Sequence, residues 1–241
     1  MWNVKTSSHF IVYFKEDEGD YVDVLIEKAE QYYDNITYEL GFTRFDDFWL
    51  WEKRCKIYLY PSAQEYHRVT GQPEWSVGEA NIIEKTIETY LYEKDFLENI
   101  LPHEMGHLIF REFVGYKTQL PLWLDEGIAC LQEKKHLQER LSISQGLVIS
   151  GFFIPIRKLN EIKQSEMVMP IIFYAEAASI MDFLLEKYGK DKFIDFCRYL
   201  RDTKDWRQAL LKVYGFEDLD QMNIAWVKFL SQDFEKIKIH N

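Results

Sequence analysis

His103-Glu104-Met105-Gly106-His107 lies inside a helical stretch running from about Lys94 to Val114, and Trp123-Leu124-Asp125-Glu126-Gly127-Ile128-Ala129 follows on what reads as the next helix. Residues four apart on an α-helix are separated by ~400° of rotation and about 6 Å of rise, so the imidazoles of His103 and His107 project from one face and can bind one ion. Glu104 sits on the neighbouring turn, close to the same face. Six histidines are present in 241 residues, and shuffling such a composition would produce H-E-x-x-H in roughly one or two chains per hundred. Coincidence is therefore the reading to weigh against it. Pro102 removes a backbone donor and crowds the carbonyl of Glu98, which predicts a kink or a helix start. Either leaves His103 to His107 helical.

Two imidazoles leave a tetrahedral ion short of ligands, because catalytic zinc takes three protein groups and keeps one position for water. Glu126 follows His107 with eighteen intervening residues, and the short loop ending at Pro121 lets its helix return antiparallel to the first. A His, His, Glu set suits catalytic zinc open to water. The alternative is that Glu126 is an exposed helical carboxylate. Asp125 fits either a hydrogen bond to a ligand histidine or a solvated helix position. Gly106 and Gly127 suit close backbone packing.

On the N-terminal side, His9 to Phe14 alternates as a strand, Tyr21 to Leu40 has helical spacing and stops at Gly41, and Lys56 to Tyr60 is a second strand. Ser62 is a good N-cap for a short helix ending near Gly71. Val77 to Tyr92 reads as a strand pair or an edge strand, where the sheet should end. Beyond Pro121 the pattern is helical throughout, at about 121 to 140, 172 to 188, 190 to 202, 205 to 213 and 217 to 235, with breaks at Gly189 and Gly215. The expectation is an α+β fold in one domain. Its first half, residues 1–114, carries a mixed sheet with helices, and its second half, 115–241, is all-helical. No repeat or Gly/Ser/Pro-rich linker separates them, so the halves should share a core and face each other across an active-site cleft.

Hydrophobic residues make up 47% of the chain and aromatics 16%, ample for a buried core. The longest nearly apolar run, Leu147 to Ile156, is interrupted by Ser150, Gly151 and Pro155 and falls short of the ~20 residues a membrane-spanning helix needs. A net charge of −11 repels phosphate backbones and anionic lipid surfaces. Nucleic acid and membrane insertion are thus poor expectations, and a peptide or protein partner a better one. Cys55, Cys130 and Cys197 are odd in number and lack C-x-x-C spacing, so they read as small buried residues rather than disulfides. His9, His67, His136 and His240 lack ligand spacing and read as structural. The start, Met1 to Lys5, has no export signal, which fits either a cytoplasmic chain or a mature domain stripped of one.

H-E-x-x-H, eighteen residues, then Glu within W-L-x-E-G-x-A resembles the gluzincin zinc peptidases, in particular those similar to aminopeptidase N and the shorter peptidase-MA-like proteins. The resemblance spans roughly Gly78 to Gly189. It implies a zincin-like fold, one Zn2+ ion held by His103, His107 and Glu126, and Glu104 as the base acting on the metal-bound water. Tyr174-Ala175-Glu176-Ala177-Ala178-Ser179 is similar to the segment that carries the family's transition-state tyrosine, which implies that role for Tyr174. The plain alternative is a tyrosine packed on the helix face of Ala178, Met181 and Leu185. One departure stands out. Where aminopeptidases of this clan carry a G-x-M-E-N-type strand, this chain has Val77-Gly78-Glu79-Ala80-Asn81, with the glutamate displaced. The expectation is therefore an endopeptidase, against two alternatives: an aminopeptidase of the same clan, or a catalytically silent zinc-binding interaction domain.

Overall fold

The computed structural model describes residues 1–15, 19–42, 49–74, 76–164 and 167–239. His240, expected to be structural, lies outside them. The chain divides into two compact units, Met1–Glu112 and Phe113–Asn241.

The first unit is built on a five-stranded mixed sheet in the order β1-β2-β3-β5-β4, formed by β1 (Asn3–Thr6), β2 (Phe10–Phe14), β3 (Cys55–Tyr60), β4 (Gly78–Asn81) and β5 (Thr86–Tyr90). β2, β3 and β5 run parallel, while β1 and β4 are antiparallel edges. The central strands carry the core on one face, with Phe10, Val12, Ile57, Leu59 and Ile87 fully buried and the alternate residues Ile11, Tyr13, Lys56 and Tyr58 half-buried on the other. α1 (Gly19–Glu39) and α2 (Ala63–Thr70) connect them. α1 turns Val22, Leu25, Ala29, Tyr33 and Ile36 inward at helical spacing. His9 fastens β2 to α1, with Nδ1 2.5 Å from a Glu30 oxygen and its ring stacked 3.8 Å from that of Tyr33. α2 has the expected ends. Ser62 Oγ accepts the N–H of Glu65, and Gly71 closes the helix at φ 74°, a conformation glycine adopts without steric cost.

β1 escapes a pattern reading. Its four residues, NVKT, form an exposed edge too short for a period-2 signal. The strand pair expected between Val77 and Tyr92 is β4 with β5, and β4 is the edge strand.

The stretch ahead of the H-E-x-x-H segment is a π-helical turn at Phe96–Ile100, followed at once by α3 (Leu101–Val114). Ile100 donates to the carbonyl of Asp95, the five-residue step of a π-turn. Pro102 is thus the second residue of α3, directly after the π-turn, so its missing N–H falls where the hydrogen-bond step changes rather than within regular α-helix.

The second unit is helical: α4 (Leu122–Cys130), α5 (Lys134–Ser150), α6 (Ile156–Leu159), α7 (Pro170–Thr203), α8 (Trp206–Tyr214) and α9 (Leu219–Ile239). The single helix expected over 121 to 140 is two, broken at Leu131–Glu133. No glycine or proline marks this break; Gln132 donates to the carbonyl of Ala129 and Glu133 to that of Cys130 in the turn, and Arg140 reaches back to Glu133 at 2.5 Å. The two helices expected at 172 to 188 and 190 to 202 are the two arms of α7, and the break expected at Gly189 falls where the backbone leaves helical geometry, at φ 82° and ψ 161°. α4, α5 and α8 all pack on α7. α4 approaches closely at Gly127, where an added Cβ would lie 2.5 Å from the carbonyl oxygen of Ala177 and 2.6 Å from Met181 Cγ. All three cysteines are buried, and no described helix is long and apolar enough to cross a membrane.

Candidate metal centre

α3 is amphipathic about the H-E-x-x-H segment. Leu101, Met105, Leu108, Ile109 and Phe110 are buried in the core, whereas His103 and Glu104 stay half-exposed. A helix start at Leu101 gives the four-residue spacing its expected consequence. The Nε2 atoms of His103 and His107 are 3.2 Å apart, with ring centroids at 4.8 Å and planes at 80°. Two nitrogens bound to one tetrahedral zinc at its usual bond length are about 3.3–3.4 Å apart, so the pair is spaced as ligands of one ion would be.

Glu112, farther along α3, fixes the helix within its unit. Its carboxylate accepts the indole N–H of Trp49 at 2.5 Å and the ammonium of Lys85 at 2.8 Å. Glu104 contributes to the electrostatics of the same region. The Tyr66 phenol is raised above its ordinary pKa mainly by burial, against a hydrogen bond from Ser76, with the charges of Glu79, Glu88 and Glu104 adding to the rise. Glu79 lies on edge strand β4 and accepts a hydrogen bond from Gln72.

In the second unit, Glu126 is buried, 8% exposed, among Trp123, Leu124, Gly127 and Ile128 on α4. The exposed-carboxylate alternative therefore does not describe it. Buried carboxylates are retained where they are paired or coordinate a cation. Asp125 is half-buried on the same helix.

Among the described residues, two sets of side chains could hold a metal ion: His103, His107 and Glu126, and His103, Cys130 and Glu133. The donor chemistry favours the first. Two imidazoles and a carboxylate are the ligands of a catalytic zinc, whereas Glu133 is already engaged by the guanidinium of Arg140.

Tyr174, five residues into α7, is half-buried. Its ring meets Phe173 edge-on, and the Arg140 guanidinium lies 5.7 Å from the ring centroid. Ala178 and Met181, its neighbours on that helix, are fully buried, so the tyrosine stands at the margin of the core. The pairing of Arg140 with Glu133 is not legible in the sequence. Seven residues apart, they read as part of one continuous charged helix.

A family model described as Peptidase MA superfamily matches residues 50–232. A comparison with curated proteins finds no match.

Proposed function

Because the chain belongs to the Peptidase MA superfamily, we propose that it is a zinc-dependent peptidase in which His103, His107 and Glu126 hold one ion, Glu104 handles the proton of the attacking water, and Tyr174 steadies the oxyanion. The family by itself supplies the coarser part of this, a metallopeptidase-type function with a peptide or protein substrate. The observation that carries the rest is the 3.2 Å separation of the His103 and His107 Nε2 atoms, with Glu104 between them on α3.

A bound zinc would supply Lewis acidity, lowering the pKa of a coordinated water and polarising the scissile carbonyl. Glu104 takes the water's proton and delivers it to the leaving amine, a transfer for which a carboxylate beside the ion but outside its ligand set is suited. Tyr174 donates its phenolic hydrogen to the oxygen that gains charge. β4, which carries Gly78 and Ala80, is an edge strand of the sheet, the kind of element to which an extended peptide adds by main-chain hydrogen bonds. The displaced Glu79 favours internal cleavage over removal of amino-terminal residues, which sets the chain apart from aminopeptidases of the N type.

The test is zinc content and cleavage of a mixed peptide library for the native protein and for Glu104→Gln. Stoichiometric zinc in both, with internal cuts by the native protein only, is the expected result. Stepwise loss of amino-terminal residues would make it an aminopeptidase. Zinc without products from either protein would leave a silent binding domain.

A further inference from the structure

We propose that Arg140 is a positioning residue for Tyr174: clamped by Glu133, it holds the tyrosine ring and strengthens the phenol as a donor to the developing oxyanion. This rests on the role given to Tyr174 above.

The two arms of Arg140 are both visible. Nη2 donates to a Glu133 oxygen at 2.5 Å, and the Glu133 side chain is 8% exposed. Glu133 is the residue that turns the chain from α4 into α5, so its carboxylate is anchored by the backbone. The guanidinium carbon is 5.7 Å from the Tyr174 centroid, inside the ~6 Å over which a cation is attracted to an aromatic face. Partial burial weakens the charge on Arg140, but Cys130, Glu133 and Tyr174 beside it more than offset this, so it remains a guanidinium.

The contact is held in register by its surroundings. One turn along, the buried hydroxyls of Ser144 on α5 and Ser179 on α7 are 2.7 Å apart, and the indole of Trp226 donates to Ser179 at 3.0 Å. α5 cannot slide along α7 without breaking this cluster, so Arg140 is fixed opposite Tyr174. Arg140 Nε is buried without a hydrogen-bond partner. This is an arrangement expected when the plane of the guanidinium is set by Glu133 and the ring rather than by its own full complement of donors.

A cation beside a phenol favours negative charge on its oxygen, and therefore a stronger hydrogen bond as the oxyanion forms. Such help arises in the transition state rather than on substrate binding, so it acts on kcat and spares KM. A purely structural Glu133–Arg140 pair would instead show in stability alone.

The experiment is a double-mutant cycle on the peptide that the native protein cleaves best, with Arg140→Met, Arg140→Lys and Tyr174→Phe measured singly and combined, and thermal midpoints recorded for each. Arg140→Met should lower kcat about tenfold with KM changed less than about twofold. Arg140→Lys should restore a substantial part of the loss, and Arg140→Met should cost nothing more in the Tyr174→Phe background. If Arg140→Met does not fold, the Arg140→Met/Glu133→Gln pair removes both charges together and should show the same kcat loss. A kcat untouched by the loss of Arg140, or a loss repeated in full without the phenol, would overturn the proposal while leaving Tyr174 in place. A Tyr174→Phe enzyme with native kcat would instead remove Tyr174 from the chemistry, and the role of Arg140 with it.

Discussion

The Glu176 carboxylate accepts the backbone N–H of Ile154 through both oxygens, at 2.9 and 3.2 Å, from a side chain with no solvent exposure. Desolvation raises its pKa to about 7, and the single backbone donor only partly offsets the rise. Folding therefore favours the protonated acid. An unfolded glutamate titrates near 4.5, so the folded chain holds an extra proton between about 4.5 and 7. The stability linked to that proton is complete below the lower value and is lost as pH rises through the upper one. Glu176→Gln keeps an acceptor for Ile154 without the charge. In chemical denaturation from pH 5 to 8, the variant should gain on the native protein as pH rises, by an amount on the order of 2–3 kcal/mol at the alkaline end. Parallel pH profiles would show that Glu176 does not titrate in this range.

Gly127→Ala tests the approach of α4 to α7. The added methyl would meet a backbone oxygen at 2.5 Å, and a backbone oxygen cannot move aside as a flexible side chain can. The two helices must separate, at a cost of about 1–3 kcal/mol. The expected result is a thermal midpoint lowered by several degrees. Because α4 also carries Glu126, zinc retention should weaken in the same variant. An unchanged midpoint would mean that the helices yield without strain.

What the sequence discloses of this molecule is what local chemistry encodes. Ser62 and Gly71 bracket α2 because an accepting side chain and a left-handed residue are local requirements. The spacing of His103 and His107 becomes a 3.2 Å nitrogen pair because helix geometry alone determines it. The break between α4 and α5 is different. It is closed by backbone hydrogen bonds of Gln132 and Glu133 and accompanied by Arg140 meeting Glu133 seven residues away, and no breaker residue announces it. β1 is equally silent, since Asn3–Thr6 becomes a strand only by pairing with β2, and Glu176 gives no sign in sequence of a buried acid rather than a surface one. The imidazole pair of α3 is thus legible in the sequence, whereas the surroundings of Glu133, Arg140 and Glu176 depend on tertiary contacts.

Glu112 shows how α3 is anchored within the first unit. It accepts from Trp49 and from Lys85, whose side chain is 13% exposed, and Lys85 Nζ also donates to the carbonyl of Lys53. Glu112→Ala removes the partner of a largely buried ammonium and of a buried indole N–H together, which should destabilise the protein by about 2–4 kcal/mol. Glu112→Gln, which retains an acceptor, should cost less. Denaturant midpoints of the two variants check the ordering, and equal losses would mean that the charge of Glu112 contributes little.

Glu126 is the residue on which the proposed ligand set depends most, because two imidazoles alone leave zinc under-coordinated. Removing a third ligand should weaken binding by well over tenfold, and the effect is separable from folding. A ligand that binds only the folded chain raises its stability as the logarithm of concentration over the dissociation constant, so the native protein should melt higher with zinc than after chelation. Midpoints of the chelated native protein and of chelated Glu126→Ala give the cost of the substitution to folding by itself, so the metal effect is read as a difference. The distinguishing readout is the gap between zinc-loaded and chelated midpoints, which should be wide for the native protein and nearly closed for Glu126→Ala. A gap of native size in the variant would remove Glu126 from the ligand set and leave the third position to another carboxylate or thiol, with Cys130 and Glu133 the residues to test next.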